Sequence, residues 1–430
     1  MSKTIGHRGE HVAAWVGTGA FAVLLALAGC AARKPPPAPP APPPPVAAAA
    51  AVTVAPPPAT PAAPPPPVAV AYEQAVAQAA REVFGNAQLA PGQTYTVVVD
   101  PLVDGTTGMQ TVGTAAMEKR VAGIVASDYP RYEMKPFNAA NVAAAPLIFI
   151  GTFTPINLLG KSDGEKDAYR ICFALADLKT GKIVSKGFAR SQTAGVDATP
   201  LPYFKDAPVW VADKIVEGYV KTCQGTKAGD PINAAYYDKI SAATAIDGAI
   251  SAYNSRQYRE SLALFTALLR NPAGDQPRVH TGLYLSNYRL ARREPAMRSF
   301  SRLVEYGVVN NRFAVNFNFE AGAASFARDR VPYDSWLREV ARQTTRSTPG
   351  CYEIAGHTSR TGSAELNQRL SLMRAEYVKQ RLVRDRRDLG ARYNAQGYGS
   401  RQPLVGTGKD DGSDLLDRRT EFKPQPCTAT

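Results

Sequence analysis

From Arg33 to about Ala71 the chain is almost entirely proline, alanine and valine. That composition supplies no packed core and favours an extended polyproline II tether, reaching on the order of 100 Å at about 3.1 Å per residue. Everything able to fold around a core therefore lies beyond it. Before it stand Lys3 and Arg8, then an apolar run from Ala13 to Ala28. The run is too short, and too closely followed by polar and proline-rich sequence, to read as a membrane span, so residues 1–30 read as a signal peptide. It ends in Leu27-Ala28-Gly29-Cys30.

That tetrapeptide resembles a bacterial lipobox, in which the cysteine is acylated and becomes the first mature residue. The resemblance implies lipidation at Cys30, a tether over 31–71, and the rest of the chain facing the periplasm. Ala31, where an Asp would redirect sorting, implies anchoring in the outer membrane. Cys172, Cys223, Cys351 and Cys427 remain, an even number in a disulfide-permissive compartment. Of the three possible pairings, Cys172–Cys223 and Cys351–Cys427 keep each bridge within one expected domain, and these two are predicted.

A length of 430 residues leaves room for two to four domains. The net charge of +13 is spread along the chain, without zinc-finger spacing or an RNP-like aromatic motif, which argues against nucleic acid. It suits anionic envelope polymers instead. No nucleophile–base pair, paired acids or ligand-spaced metal cluster emerges, so the expectation is a non-enzyme with no cofactor or metal.

The overall expectation is a multidomain α+β protein. Residues 72–226 read as an α+β periplasmic domain: helix Tyr72–Phe84, strand Thr94–Asp100, helix Thr111–Ala126, buried strand Pro146–Thr154, a hairpin of Ala168–Leu178 and Lys182–Arg190, and helix Pro208–Val220. This order resembles, at low motif content, the small periplasmic domain of the LpoB and CsgG lipoproteins. Residues 233–310 are helical and repeated: Tyr253, Ser261, Phe265 and Leu268 recur 35 positions on as Tyr288, Ala296, Phe300 and Leu303. The period resembles tetratricopeptide (TPR-like) hairpins and implies either a groove for an envelope protein partner or a helical spacer.

Residues 312–430 alternate strand and helix, a βαβαβ pattern. Ile354–Ala375 reads as a strand, a glycine-bounded polar turn, and a helix with Leu366, Leu370, Met373 and Tyr377 as its buried stripe. Asn367, Ser371, Arg374 and Val378 share the adjacent face. An Arg beside turn amides at a helix start suits a carboxylate.

Gly356-His357-Thr358-Ser359-Arg360-Thr361-Gly362, Asn367, Leu370-Ser371-Leu372-Met373-Arg374-Ala375, Gly397-Tyr398-Gly399 and Asp417-Arg418-Arg419-Thr420-Glu421-Phe422 together resemble the OmpA-like (OmpA, MotB, Pal) peptidoglycan-binding family. The resemblance implies noncovalent capture of the diaminopimelate stem peptide, with Thr358, Asn367 and Arg374 in the site. Where the family has an Asp for the ligand ammonium, this chain has Ser359. Exchanging a charge-assisted bond for a neutral one should weaken binding about tenfold or more. Glu320 stands where a family acid would make up some of the charge. Asp417 replaces an Asn. The implied function is anchoring of the outer membrane to the wall, with the middle domains recruiting an envelope partner. The alternative is a regulator or assembly factor of a cell-wall synthase or secretion complex, with a degenerate wall-binding fold.

Overall fold

A computed structural model describes residues 68–144, 147–346 and 350–427. The expected signal peptide, Cys30 and the tether up to residue 67 lie outside the described residues. The first sheet contains β1 (Tyr95–Val99), β2 (Val103–Asp104), β3 (Tyr132–Pro136), β4 (Leu147–Ile156), β5 (Ala168–Asp177) and β6 (Lys182–Gln192). Its order is β3-β1-β4-β5-β6, with β2 also on β4. β1 is parallel to β3 and β4, whereas β4, β5 and β6 form an antiparallel meander.

β4 is buried at every position because both faces of the sheet are covered. Leu147, Phe149 and Phe153 share a core with helix Tyr72–Gly85, while Ile148 and Ile150 meet Tyr219 and Cys223 of helix Lys214–Gln224. A strand hidden on both sides is written as a continuous apolar run. Cys172–Cys223 ties β5 to that second helix, and Cys351–Cys427 closes the C-terminal segment, as predicted. β3, with Glu133 and Lys135 in an edge strand, has no such run and gives no signal of itself.

The helix expected over Pro208–Val220 is replaced by strand β7 (Val209–Val211) and then helix Lys214–Gln224. Val209-Trp210-Val211 is β-branched and aromatic, and the Asp213 carboxylate accepts from Ile215 N and Val216 N, which starts the helix only there. β7 joins a second sheet with β8 (Phe313–Val315), β9 (Cys351–Gly356), β10 (Tyr393–Gly397) and β11 (Thr420–Gln425), in the order β10-β9-β11-β8-β7. β10 runs parallel to β9, and β11 is antiparallel to both its neighbours. β8 ends at Val315, because beyond it the chain turns back and packs Phe317 and Phe319 on Phe326.

Between the sheets, helices Ile240–Asn254, Tyr258–Leu268, Pro277–Arg289 and Arg293–Val309 make two helical hairpins. Each bends at a residue of positive φ, Arg256 in one and Ala291 in the other. The repeated Phe265 and Phe300 are fully buried. Trp336 of helix Tyr333–Arg346 stacks on Phe300 at 5.1 Å, so the hairpins and the second sheet share a core.

Candidate functional site

Helix Ala364–Val383, opened by Ser363 Oγ accepting from Leu366 N, lies against β9 and β10. The approach is very close. A Cβ on Gly356 would stand 2.1 Å from Ser371 O, and one on Gly397 2.6 Å from Leu372 N. Backbone contact at that distance admits only small or polar side chains between helix and sheet. The face expected to be buried is therefore the wrong one: Leu366 and Met373 are half exposed, while Asn367, Ser371, Arg374, Ala375 and Val378 are buried.

Hydrogen bonds stitch the turn to this polar face. Thr358 N donates to Gly399 O at 3.0 Å, and Gly399 N donates to Ser371 Oγ at 2.8 Å. Ser359 Oγ donates to Thr361 Oγ1 at 3.4 Å, and the Thr361 hydroxyl donates to Asp414 Oδ2 at 3.3 Å. Asn367 Nδ2 donates to Thr361 O at 3.0 Å. Thr358, Ser359 and Asn367 are all buried, and Thr358 Oγ1 has no partner among the described residues.

Arg374, one turn beyond Ser371, is only 7% exposed. Its Nε donates to Ala323 O at 3.1 Å and its guanidinium lies 4.8 Å over the Phe319 ring. Among the described residues no carboxylate pairs with it, and Nη1 and Nη2 make no hydrogen bond. Burial, and then the charge of Arg418, push its pKa down to about 10. The backbone turn after β8 thus fixes the plane of the guanidinium and leaves its paired donors uncommitted. Two parallel N–H groups of this kind fit a carboxylate.

The turn of Glu320 reaches the site through Ala323 and Phe319, but the Glu320 carboxylate faces Arg328 at 3.6 Å. It does not meet Arg374. Asp417 is fully buried and accepts from Leu404 N, Val405 N and Gly406 N, which organises the loop before β11. Burial raises its pKa against those bonds. Val405 in that loop inserts into the first sheet's core, and Arg360 of the site turn pairs with Glu165 at 3.0 Å.

His357 is buried and stacks on Tyr398 at 5.3 Å, with neither ring nitrogen hydrogen-bonded among the described residues. Burial first, and then Arg419, lower its pKa to about 3. Burial alone would raise Glu421, but Arg419, with Nε at 2.6 Å, along with His357 and Lys423, holds it down to about 2. His357 N donates to Arg419 O, so the histidine fixes the turn to β11. Among the described residues no group of acids, His or Cys is arranged to hold a metal. Sequence reasoning missed Ala323, Asp414 and the ring of Phe319 as parts of the site, because they enter through loops that carry no periodic signal.

A sheet with a helix packed through glycines, and a buried guanidinium at that helix's polar face, make a small α+β module whose open donors have the geometry to accept a carboxylate. Residues 319–414 match the OmpA family, and the chain has an OmpA-like domain at its C-terminus. Outer membrane protein Omp38 of Acinetobacter baumannii is 34% identical over 87 residues, covering 20% of this chain and 24% of that protein. The chain thus matches about a quarter of the length of these curated relatives. Among solved structures, the peptidoglycan-associated lipoprotein of Burkholderia pseudomallei is 29% identical, covering 26% of this chain and 89% of that one, with a TM-score of 0.21. The cell wall anchor of the T6SS from Pseudomonas aeruginosa is 24% identical, covering 26% and 78%, with a TM-score of 0.22. The periplasmic domain of Helicobacter pylori MotB is 14% identical, covering 26% and 73%, with a TM-score of 0.23.

Proposed function

We propose that this chain is an outer-membrane lipoprotein, acylated at Cys30, whose OmpA-like domain binds peptidoglycan noncovalently and so ties the outer membrane to the wall. The observation that supports this most is the Arg374 guanidinium, which is buried, held in plane, without an acid among the described residues, and left with two free donors. An unpaired buried cation is costly unless a ligand neutralises it, and the wall's stem peptides are rich in carboxylates. The first sheet and the helical hairpins would recruit an envelope partner from the same platform. Among the described residues no helix is long and apolar enough to cross a membrane, and attachment is assigned to the lipid.

The test is co-sedimentation of the full chain with purified diaminopimelate-type sacculi across a salt series. Retention that survives salt, where nonspecific attraction of a +13 chain is screened, supports wall binding. Loss of all retention at raised salt would favour the regulator or assembly-factor reading, with the wall-binding fold degenerate. Metabolic labelling with a radioactive fatty acid, absent in Cys30→Ser, tests the anchor.

A further inference from the structure

The second sheet has another face, turned away from helix Ala364–Val383. Strand pairing sets Trp210 of β7, Ala314 of β8 and Glu421 of β11 side by side there, and Arg312 and Arg419, two positions earlier, follow on the same side. Gly356, which meets the helix, points the other way. Ala314 is the smallest side chain in this row, and a cavity of about 120 Å³ lies over it, closed by Met109, Leu404, Leu415 and Leu416. Trp210 is fixed as its wall because Nε1 donates to Thr107 O at 3.1 Å. A wider cleft of about 400 Å³ shares Met109, Phe204 and Trp210 with it. We propose that this hollow is a ligand site separate from the Arg374 face, taking an amphipathic monoanion with a ring-sized apolar group over Ala314 and its anionic head among Arg312, Lys205 and Arg419.

The apolar half follows from size and lining. An engineered apolar cavity of about 150 Å³ holds benzene, so a hollow of this order takes one ring, and the wider cleft takes the rest of the body. The anionic half follows from the charges. Arg419 is 9% exposed; its Nε bonds Glu421 at 2.6 Å and its Nη2 donates to Gln402 O at 3.2 Å, but Nη1 is buried without a hydrogen-bond partner among the described residues. Thr106 Oγ1, which lines both spaces, is likewise buried and unpartnered. Arg312 lies 5.3 Å over Trp210, and neither it nor Lys205 has an ion pair among the described residues. Glu421 is the one acid lining the hollow, and Arg419 already holds it. Two exposed cations and a buried donor, with no uncommitted acid, favour a negative head. In the wider cleft Arg278 and Lys221 stand against Asp213 and Glu217, with Lys221 and Glu217 paired at 3.9 Å, so that space selects no charge.

The experiment titrates the full chain with anilinonaphthalene sulfonate and with its uncharged analogue phenylnaphthylamine, which share their rings and differ in the sulfonate, and follows probe fluorescence. The expected result is one saturable site, about tenfold tighter for the sulfonate. Arg312→Gln combined with Lys205→Gln, both at exposed positions, should cut that preference by about threefold or more. Ala314→Leu fills the hollow and should abolish the site with an unchanged circular dichroism spectrum; if it does not fold, the double glutamine variant decides. Arg374→Gln should bind the sulfonate as the wild type does, whether or not the chain binds sacculi. Equal affinity for the two probes, an undiminished preference in the double variant, loss of the site in Arg374→Gln, or no saturable binding would each overturn the inference.

Discussion

Among the arginines that lie over aromatic rings, Arg302 and Arg374 sit on helices of comparable length, and of these two only Arg302 has acids to pair with among the described residues. Arg302, in helix Arg293–Val309, lies 5.0 Å over Tyr306 and bonds Asp275 and Glu305, each at 2.8 Å. Asp275 also meets His280 Nε2 at 2.8 Å. Burial would raise Asp275, but Arg302, His280 and Tyr306 hold it well below the usual carboxylate range. Arg374 has the same kind of aromatic clamp and no acid among the described residues, although it is far less solvated: 7% exposed, against 39% for the Arg302 side chain. The cluster in the hairpins is closed on itself and contributes to the fold. The cation against the second sheet is open, and on the proposed reading a ligand carboxylate would be its partner.

The strongest way to break this comparison is to remove each arginine. Arg374→Leu should lower sacculus binding on the order of a hundredfold while leaving stability unchanged or slightly higher, because a buried unpaired charge has been deleted. Arg302→Leu should leave binding alone and lower stability by about 1 kcal/mol, the scale of a half-exposed ion pair. Paired urea titrations and co-sedimentation check both, and a large stability loss in Arg374→Leu would mean that it is a structural cation after all.

Next in size are the glycines that bring the helix onto the sheet. Gly356→Ala meets the backbone oxygen of Ser371 and should cost about 2–4 kcal/mol and loosen the Arg374 face, so that binding falls with it. Gly282→Ala meets the Phe265 ring in the hairpins and should also destabilise, yet with binding retained. By contrast, Gly248 in helix Ile240–Asn254 has nothing within 4 Å, and Gly248→Ala should add about 0.5–1 kcal/mol. Thermal melts rank the three.

pH sharpens the comparison further. His357 has a folded pKa of about 3 against an ordinary 6.5, so between those values the unfolded chain binds more protons and acid destabilises the fold. Its contribution is fully present above about pH 6.5 and falls away as pH drops toward 3. His357→Phe, which keeps the stack on Tyr398, should shrink the stability difference between pH 7.5 and pH 5 by about 2 kcal/mol relative to wild type. An unchanged difference would place a protonated His357 in the folded state, with Glu421 as its partner.

Much of the second sheet was legible because its motif residues and helix limits are local. Ala364–Val383 begins at a capping serine, and β9 is an apolar run between Cys351 and Gly356. The burial of that helix was misread for a physical reason. Periodicity assumes that apolar side chains face the core, but Gly356 and Gly397 bring the backbones too close for leucine and put the polar stripe inside. β10, written Tyr-Asn-Ala-Gln-Gly, is polar and half exposed, and only its pairing with β9 reveals it. At the site, Asn367 and Arg374 were found by spacing along the helix, and Thr358 and Ser359 through the resemblance of the turn to the OmpA-like family. The Phe319 and Ala323 clamp and the commitment of Asp414 to its own loop depend on long-range contacts that no local pattern encodes.

The most direct measurement is isothermal titration of the full chain, wild type and Arg374→Gln, with a soluble muropeptide that ends in a free carboxylate. The open-cation account predicts one saturable site in the wild type and none in Arg374→Gln, with both proteins equally folded by circular dichroism. Equal affinity in the two would contradict it and place the wall-binding surface elsewhere in the molecule.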